Sequence, residues 1–531
     1  MKRSVRRLAV LVMAIVLIAV PAVMWTLSAS AHQQYAANHD TGSSPPAGPE
    51  RVSDGALRDL KDFQTNLPIL VLDAGGQKFD VHTVWDQTTQ GFDSVNYDPY
   101  RKGFVSLIDT GTGVNRLSDP PQWETAMKAR LRGASSQTFP KKQYKIELLD
   151  EYGNKDARDV LGMGSSPDWV LNISYLDKSL LRNYLAYTIA GQVMDCAPKA
   201  RYCEVFFKDA DTYLYEGLYM LIQNIEEGDS FVPLTKYNPN YAETAFIVRR
   251  DRLRDSAVTL YTYSTKNHLT PEYLSVRYPK DTQLTQASTD YITNTINQFE
   301  TALYAKDDKD FLRYRDYIDV GSFIDYFILN EFFGNYDSTL HSVFTYQDIG
   351  GKLTMGPVWD FDRAMDNDFP LVLKTDSTAM HDGAWYQAML RDGDFVKQIL
   401  TRYAELRKGP LSDAHIDAII DDAVRYIKPA QIRDWNRWDY NRVYDSQFTS
   451  TVPINILPLT SDRLDYAGSV DKLKTVLREH GGWMDAHLDT LYQYSTISPD
   501  QSKSGTNWIA GFLAIVVVIA FFVTVYLVQR E

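Results

Sequence analysis

Cysteine is nearly absent, with two residues in 531, which excludes a disulfide-dense scaffold and a zinc fold built on thiolates. Histidine is sparse as well: nine occur, scattered without metal-ligand spacing. No HExxH helix, GxSxG elbow or GxxxxGK[ST] loop is present, so zincin, α/β-hydrolase and P-loop chemistries fall away. Basic charge is in deficit, 55 Lys and Arg against 68 Asp and Glu for a net −13. Nucleic acid, which asks for a concentrated basic surface, is therefore not an expected partner. Apolar and aromatic side chains are not scarce. At 44% hydrophobic and 13% aromatic, the chain can build sizeable cores and is not a disordered scaffold.

Long uncharged runs stand at both ends. Residues 8–27 carry no charge, follow Lys2, Arg3, Arg6 and Arg7, and precede Ala29-Ser30-Ala31. Residues 1–31 thus read as a signal peptide or, if uncleaved, a signal anchor. Residues 507–528 are again uncharged, long enough to cross hydrocarbon, and followed only by residues 529–531. The flanking arginines favour both ends inside and the remainder outside the cytoplasm. Residues 32–65, rich in Ala, Ser, Gly and Pro, read as a flexible linker, and 496–506 as a short juxtamembrane spacer. Between them, 66–495 form one unit without internal repeats. Cys196 and Cys203 can close a small loop, and outside the cytoplasm a disulfide is the expected state, two unpaired buried thiols being the alternative.

Hydrophobic periodicity predicts an α+β order, strands early and helices late. Leu67 to Leu72 reads as a first buried strand. From Lys142 to Leu149 the residues alternate, Tyr144, Ile146 and Leu148 on one face and Gln143, Lys145 and Glu147 on the other. Glu204–Phe207 and Glu216–Ile222 read as a hairpin around Asp209-Ala-Asp211. Asp177 is a candidate cap for a helix striped with Leu180, Leu181, Tyr184, Leu185 and Ile189. Helical periodicity returns from Trp385 to Ile427 and from Val470 to Tyr494.

The remaining chemistry lies in carboxylates. Asn335-Tyr-Asp337 precedes an expected hairpin, Ser342–Tyr346 and Leu353–Asp362 around Gly350-Gly351, which ends in Trp-Asp360-Phe-Asp362. On extended backbone Asp360 and Asp362 would point to one side, where a single hard cation could meet both. The bland alternative has Asp337 capping the preceding helix and Asp362 pairing with Arg363. A second cluster, Arg132-Gly-Ala-Ser-Ser-Gln-Thr-Phe-Pro-Lys141-Lys142-Gln-Tyr-Lys145, is basic. Alternation puts Lys142 on the apolar face of Tyr144 and Ile146, where an unpaired lysine is rare, and a strand-entry lysine that snorkels to solvent is the alternative.

Taken in order, this basic cluster, Trp169-Val-Leu, Asp177-Lys-Ser, Arg182-Asn183, Tyr215-Glu-Gly-Leu-Tyr219, Asn335-Tyr-Asp337 and Pro357-Val-Trp-Asp-Phe-Asp362 resemble the CotH family of spore-coat kinases. The resemblance implies a divergent protein-kinase-like fold, a mixed β-rich lobe and a helical lobe, that uses ATP with Mg²⁺ or Mn²⁺ to phosphorylate Ser or Thr on partner proteins. By resemblance, Asp360 would hold the metal with Asp362 assisting, and Asp337 would be the catalytic acid that orients the acceptor hydroxyl. Lys142 or Lys141 would neutralise phosphate charge, with Arg132 adding to it. The expected function is that of a membrane-tethered kinase acting on envelope or secreted proteins. Two other readings stay open: a catalytically weak surface scaffold, and a two-carboxylate enzyme acting on glycan or polyphosphate.

Overall fold

The computed structural model describes residues 56–57, 63–86, 91–94, 98–133, 135–251, 258–270, 273–367, 375–438, 440 and 464–499. The leader, most of the N-terminal linker, most of the spacer and the apolar run 507–528 lie outside the described residues. Among those described, no helix is long and apolar enough to cross a membrane.

The N-terminal half is a closed barrel of seven strands: β1 (Ile69–Asp73), β2 (Arg101–Ile108), β3 (Trp123–Leu131), β4 (Tyr144–Leu149), β5 (Asp168–Asn172), β6 (Ala200–Asp209) and β7 (Thr212–Gln223). The ring runs β7-β5-β4-β3-β2-β1-β6 and closes because β6 pairs with β7 as well as with β1. An odd number of strands cannot close with every neighbour antiparallel. The exception falls at β1 and β6, which run parallel, Ile69 opposite Glu204. Period-two alternation sends Leu70, Val105, Met127, Ala129, Ile146, Leu148, Trp169 and Leu171 into the main core. Ile69, Val71 and Phe206 turn outward to a smaller cluster with Phe63, Ile108, Leu117 and Tyr215. The expected hairpin is β6–β7, with Asp209 opposite Thr212 and Ala210 at φ +52° in the turn.

A second, five-stranded antiparallel sheet follows, made from β8 (Phe246–Asp251), β9 (Thr259–Leu260), β10 (Tyr273–Tyr278), β11 (Val343–Gln347) and β12 (Thr354–Met355), in the order β9-β10-β8-β11-β12. Strands thus continue past the point where helices begin, so the fold is α+β but not simply strands then helices. Among the described residues the α-helices of six residues or more are α1 (Arg182–Val193), α2 (Gln286–Leu303), α3 (Val320–Phe332), α4 (Ala384–Met389), α5 (Gly393–Leu406), α6 (Asp413–Trp438) and α7 (Tyr466–His487).

Three local expectations are corrected. Asp177 lies five residues ahead of Arg182, yet its Oδ2 accepts the Arg182 backbone N–H at 2.8 Å, and its side chain pairs with the Arg182 guanidinium. Asp337 caps nothing: Asp319 accepts the Ser322 N–H at the start of α3. Cys196 and Cys203 are separate buried thiols. Cys203 is a β6 residue opposite Tyr219, whereas Cys196 turns the other way and donates to the Phe231 carbonyl at 3.1 Å.

Candidate active site

The second sheet delivers the carboxylates. After β12 the chain leaves the ladder, because Pro357 has no N–H to continue it. Asp360 is therefore not on extended backbone as expected. It adopts φ +66°, a left-handed conformation that aspartate tolerates better than most residues. Helix α1 holds this turn from beneath. Tyr187 Oη accepts the Asp360 N–H at 3.2 Å and Asn183 Oδ1 accepts that of Phe361 at 2.7 Å. Arg182 donates to the carbonyls of Ala364 and Met365 at 3.0 and 3.3 Å. Asn367 closes the loop by donating to the Asp362 carbonyl at 2.6 Å. The left-handed turn, rather than a pleated strand, brings the two carboxylates together.

The Asp360 and Asp362 side chains adjoin, and each acts on the other's ionisation. Burial and the adjacent Asp360 charge raise the Asp362 carboxyl well above its usual value. Asp360 is also raised, by burial first and by Asp337 and Asp251 after it, while Arg132 opposes the shift. Its side chain is open to solvent although protein atoms crowd around it. Arg132 opposes the rise at Asp360 and Arg363 opposes it at Asp362.

Around the pair stand Asp337, Asp251, Arg132, Arg249 and Arg363. Asp337 sits in the 3₁₀ turn Tyr336–Thr339, after α3, and Arg363 Nη1 approaches its Oδ2 at 3.6 Å. Arg363 thus reaches Asp337 and also acts electrostatically on Asp362. The turn is fastened by Asn335, whose side chain donates to Asn330 Oδ1 at 3.1 Å, and by the Met365 N–H, which donates to the Phe333 carbonyl at 2.8 Å. Asp251 ends β8, beside Arg249 at 3.3 Å and His341 at 3.9 Å. Sequence reasoning missed Asp251 because no motif marks it; only the β8–β11 pairing brings it to the site. Four acids thus face three arginines.

The basic cluster divides between the two sides of the barrel wall. Lys141 is fully enclosed, paired with Asp434 Oδ1 at 2.7 Å and donating to the Leu218 carbonyl at 2.6 Å, so it has no surface left for a ligand. The expectation that Lys141 meets a nucleotide is corrected by this burial. Lys142 keeps the face of Tyr144 as alternation required, and both adjoin Glu216 on the barrel's inner side. The Lys142 ammonium donates to the Gln137 carbonyl at 2.7 Å. Glu216 itself is pushed up to about 7, by burial first. Arg132 takes the outer face: its guanidinium lies beside Asp360 and 5.2 Å over the Trp359 ring. That outer face also bears Arg130 and, directly across the ladder, Lys145. Lys145 pairs with Asp168 at 2.7 Å, and Lys155 reaches the same carboxylate.

A protein-family model described as CotH kinase protein matches residues 129–484, about two thirds of the chain and the span of every site residue named in this section. The chain belongs to the CotH kinase family. No curated protein matches it. At family level the assignment supports a CotH-like kinase, and the family in general uses ATP with a divalent metal. The residues fit such a metal in a limited way. Among the described residues no group of three or more His, Cys, Asp and Glu is gathered to hold an ion. Two carboxylates do meet, and Mg²⁺ is commonly held by one or two carboxylates with phosphate oxygens and water completing the shell.

Proposed function

We propose that the chain is a membrane-tethered, extracytoplasmic kinase that transfers the ATP γ-phosphoryl to Ser or Thr hydroxyls of envelope or secreted proteins. On this reading the barrel and the helices are the two lobes of a divergent protein-kinase-like fold. The observation that carries the reading is the Asp360–Asp362 pair, two carboxylates brought together by the left-handed turn at Asp360. Asp360 with Asp362 would hold Mg²⁺ or Mn²⁺, which when bound neutralises phosphate charge. Arg132 and Lys145, on the outer barrel face, neutralise the remaining phosphate oxygens; Lys145 lies opposite Arg130 on that face, whereas Lys142 turns toward Glu216. Asp337, held by Arg363, accepts the acceptor hydroxyl proton as the new O–P bond forms and the bond to ADP breaks. Charge placement of this kind supplies most of the catalysis in phosphoryl transfer.

The test is incubation of the purified full-length protein with labelled ATP and Mg²⁺ or Mn²⁺. Metal-dependent label on protein, lost in Asp337→Asn while nucleotide binding persists, is the expected result. Nucleotide binding without transfer would make the protein a scaffold, and no nucleotide affinity would favour a two-carboxylate enzyme of glycan or polyphosphate. Resistance to alkaline extraction from membranes, and digestion by protease added to intact cells, test the tether and its orientation.

A further inference from the structure

We propose that Glu331, on the last turn of α3, is a positioning residue that seats residues 379–383 against the Tyr336–Thr339 turn and so sets Asp337 toward the acceptor hydroxyl. The proposal rests on reading Asp337 as the acid that takes the hydroxyl proton. Glu331 is fully enclosed, four residues ahead of Asn335. Its backbone is fixed by His480, whose Nε2 donates to the Glu331 carbonyl at 2.9 Å. Both of its carboxylate oxygens face backbone donors. Oε1 accepts the Ala379 N–H at 2.9 Å, and Oε2 accepts the same N–H at 2.9 Å together with that of Met380 at 2.8 Å. Burial pushes this carboxyl up to about 7, and the two N–H groups oppose the rise. Hydrogen bonds to an ionised acceptor are roughly twice as strong as neutral ones, so the charged side chain fastens residues 379 and 380 to α3.

The fastened residues touch the catalytic turn directly. Met380 is buried, and its Sδ lies 3.2 Å from Ser338 Oγ, which donates to the Asn335 carbonyl at 2.6 Å. The Gly383 N–H donates to the Met380 carbonyl at 3.1 Å, and a Cβ on Gly383 would stand 3.2 Å from Thr339 Cγ2. The two residues after Asp337 are thus backed by Met380 and Gly383, while Asn335 before it is tied to Asn330 at 3.1 Å. The Asp337 carboxylate meets Arg363 only at 3.6 Å, longer than a hydrogen bond, so its aim follows the backbone of its turn. With Glu331 altered, residues 379–383 loosen and the turn loses its backing on that flank.

The test follows label from ATP into dephosphorylated casein by the full-length protein, at a pH above the Glu331 midpoint. Mg·ATP affinity and the number of nucleotide sites are measured alongside with a non-hydrolysable analogue. Glu331→Gln keeps the volume but turns an amide N–H₂ toward backbone donors. Met380→Ala leaves Glu331 intact and removes the side chain beside Ser338. Turnover per nucleotide site should fall on the order of 10- to 100-fold in each, as for a misplaced catalytic group, with Mg·ATP affinity within about twofold of wild type. The combined variant should fall little further, because both act through one path. The control, Tyr494→Leu, removes the ring stacked on His381 at 5.2 Å, another fastening of the same segment, and should keep wild-type turnover. A protein that merely unfolds loses sites and keeps its turnover per remaining site. Unchanged turnover per site in Glu331→Gln, a matching fall in Mg·ATP affinity, or an equal loss in the control overturns the proposal. Should the wild type transfer no label, the reading of Asp337 fails by itself, and amide exchange at Ser338, whose N–H donates to the Asn335 carbonyl at 3.1 Å, decides the positioning role separately. Exchange faster by tenfold or more in Glu331→Gln but not in the control supports it; equal exchange refutes it.

Discussion

Three lysines within five residues, Lys141, Lys142 and Lys145, meet three environments, and replacing each with Met separates them. Lys145 shares the outer face with Arg130 and holds Asp168 at 2.7 Å. Lys155 remains on Asp168 when Lys145 is lost, so Lys145→Met should fold with only a small fall in melting temperature. A charge-assisted contact to phosphate is worth about 1.5–3 kcal/mol, so Mg·ATP affinity should fall on the order of 10- to 100-fold. Lys142→Met forfeits one hydrogen bond to the Gln137 carbonyl, about 1 kcal/mol of stability. Its nucleotide affinity should change less than about threefold, under 1 kcal/mol. Lys141→Met strands a fully buried Asp434, at a cost of about 3–5 kcal/mol, and should appear first as a collapse in melting temperature. Calorimetric titration with a non-hydrolysable ATP analogue, beside thermal melts of each variant, reads both axes. If Lys142→Met weakens binding as much as Lys145→Met while melting like wild type, the assignment of faces is wrong.

Other consequences are as direct. Asp360→Asn relieves like-charge crowding, so the metal-free melting temperature should hold or rise while Mg²⁺-induced stabilisation shrinks; equal stabilisation of mutant and wild type would remove Asp360 from the metal site. Asp362 holds its proton above the pH at which the unfolded chain has released it. The folded state therefore binds more protons, and this contribution to stability is full below about pH 4 and declines as pH rises. Asp362→Asn should flatten that decline in metal-free melts, and an unchanged slope would refute a raised Asp362 carboxyl. Gly217→Ala forces a Cβ to within 2.1 Å of Asp434 Oδ1 at φ +118°, which should cost at least about 1–3 kcal/mol in backbone strain alone; a melt within a degree of wild type would contradict the close approach.

Much of the site was legible because its signals are local. The alternation of Tyr144, Ile146 and Leu148 with Lys145 and Glu147 follows from pleat geometry, and the structure keeps it. The β6–β7 hairpin was marked by turn residues two apart. The conformation of Asp360 was not legible, since a DxD reads the same on a strand and in a left-handed turn. Arg182, Asn183 and Tyr187, which force the turn, come from a helix far upstream. The sorting of Lys141 from Lys142 also escaped sequence reasoning, because the deciding residue, Asp434, lies almost three hundred positions away. Asp251 enters only through cross-strand pairing. Period and spacing report neighbours along the chain; what was missed arises from neighbours across it.

The parallel seam of the barrel bears on how the protein is made. β1 meets β2 soon after synthesis, but its other edge waits for β6, so the row of N–H and C=O groups from Ile69 to Asp73 stays unpaired while the intervening residues emerge. That edge carries Ile69, Leu70, Val71 and Leu72, all buried once the ring closes. An apolar strand edge left open is a template for pairing with other chains, and contacts between distant segments form late. The nascent protein is thus most exposed to aggregation before Ala200–Asp209 arrives. Truncations that end between β5 and β6 should be insoluble, whereas the completed ring offers no such edge at β1.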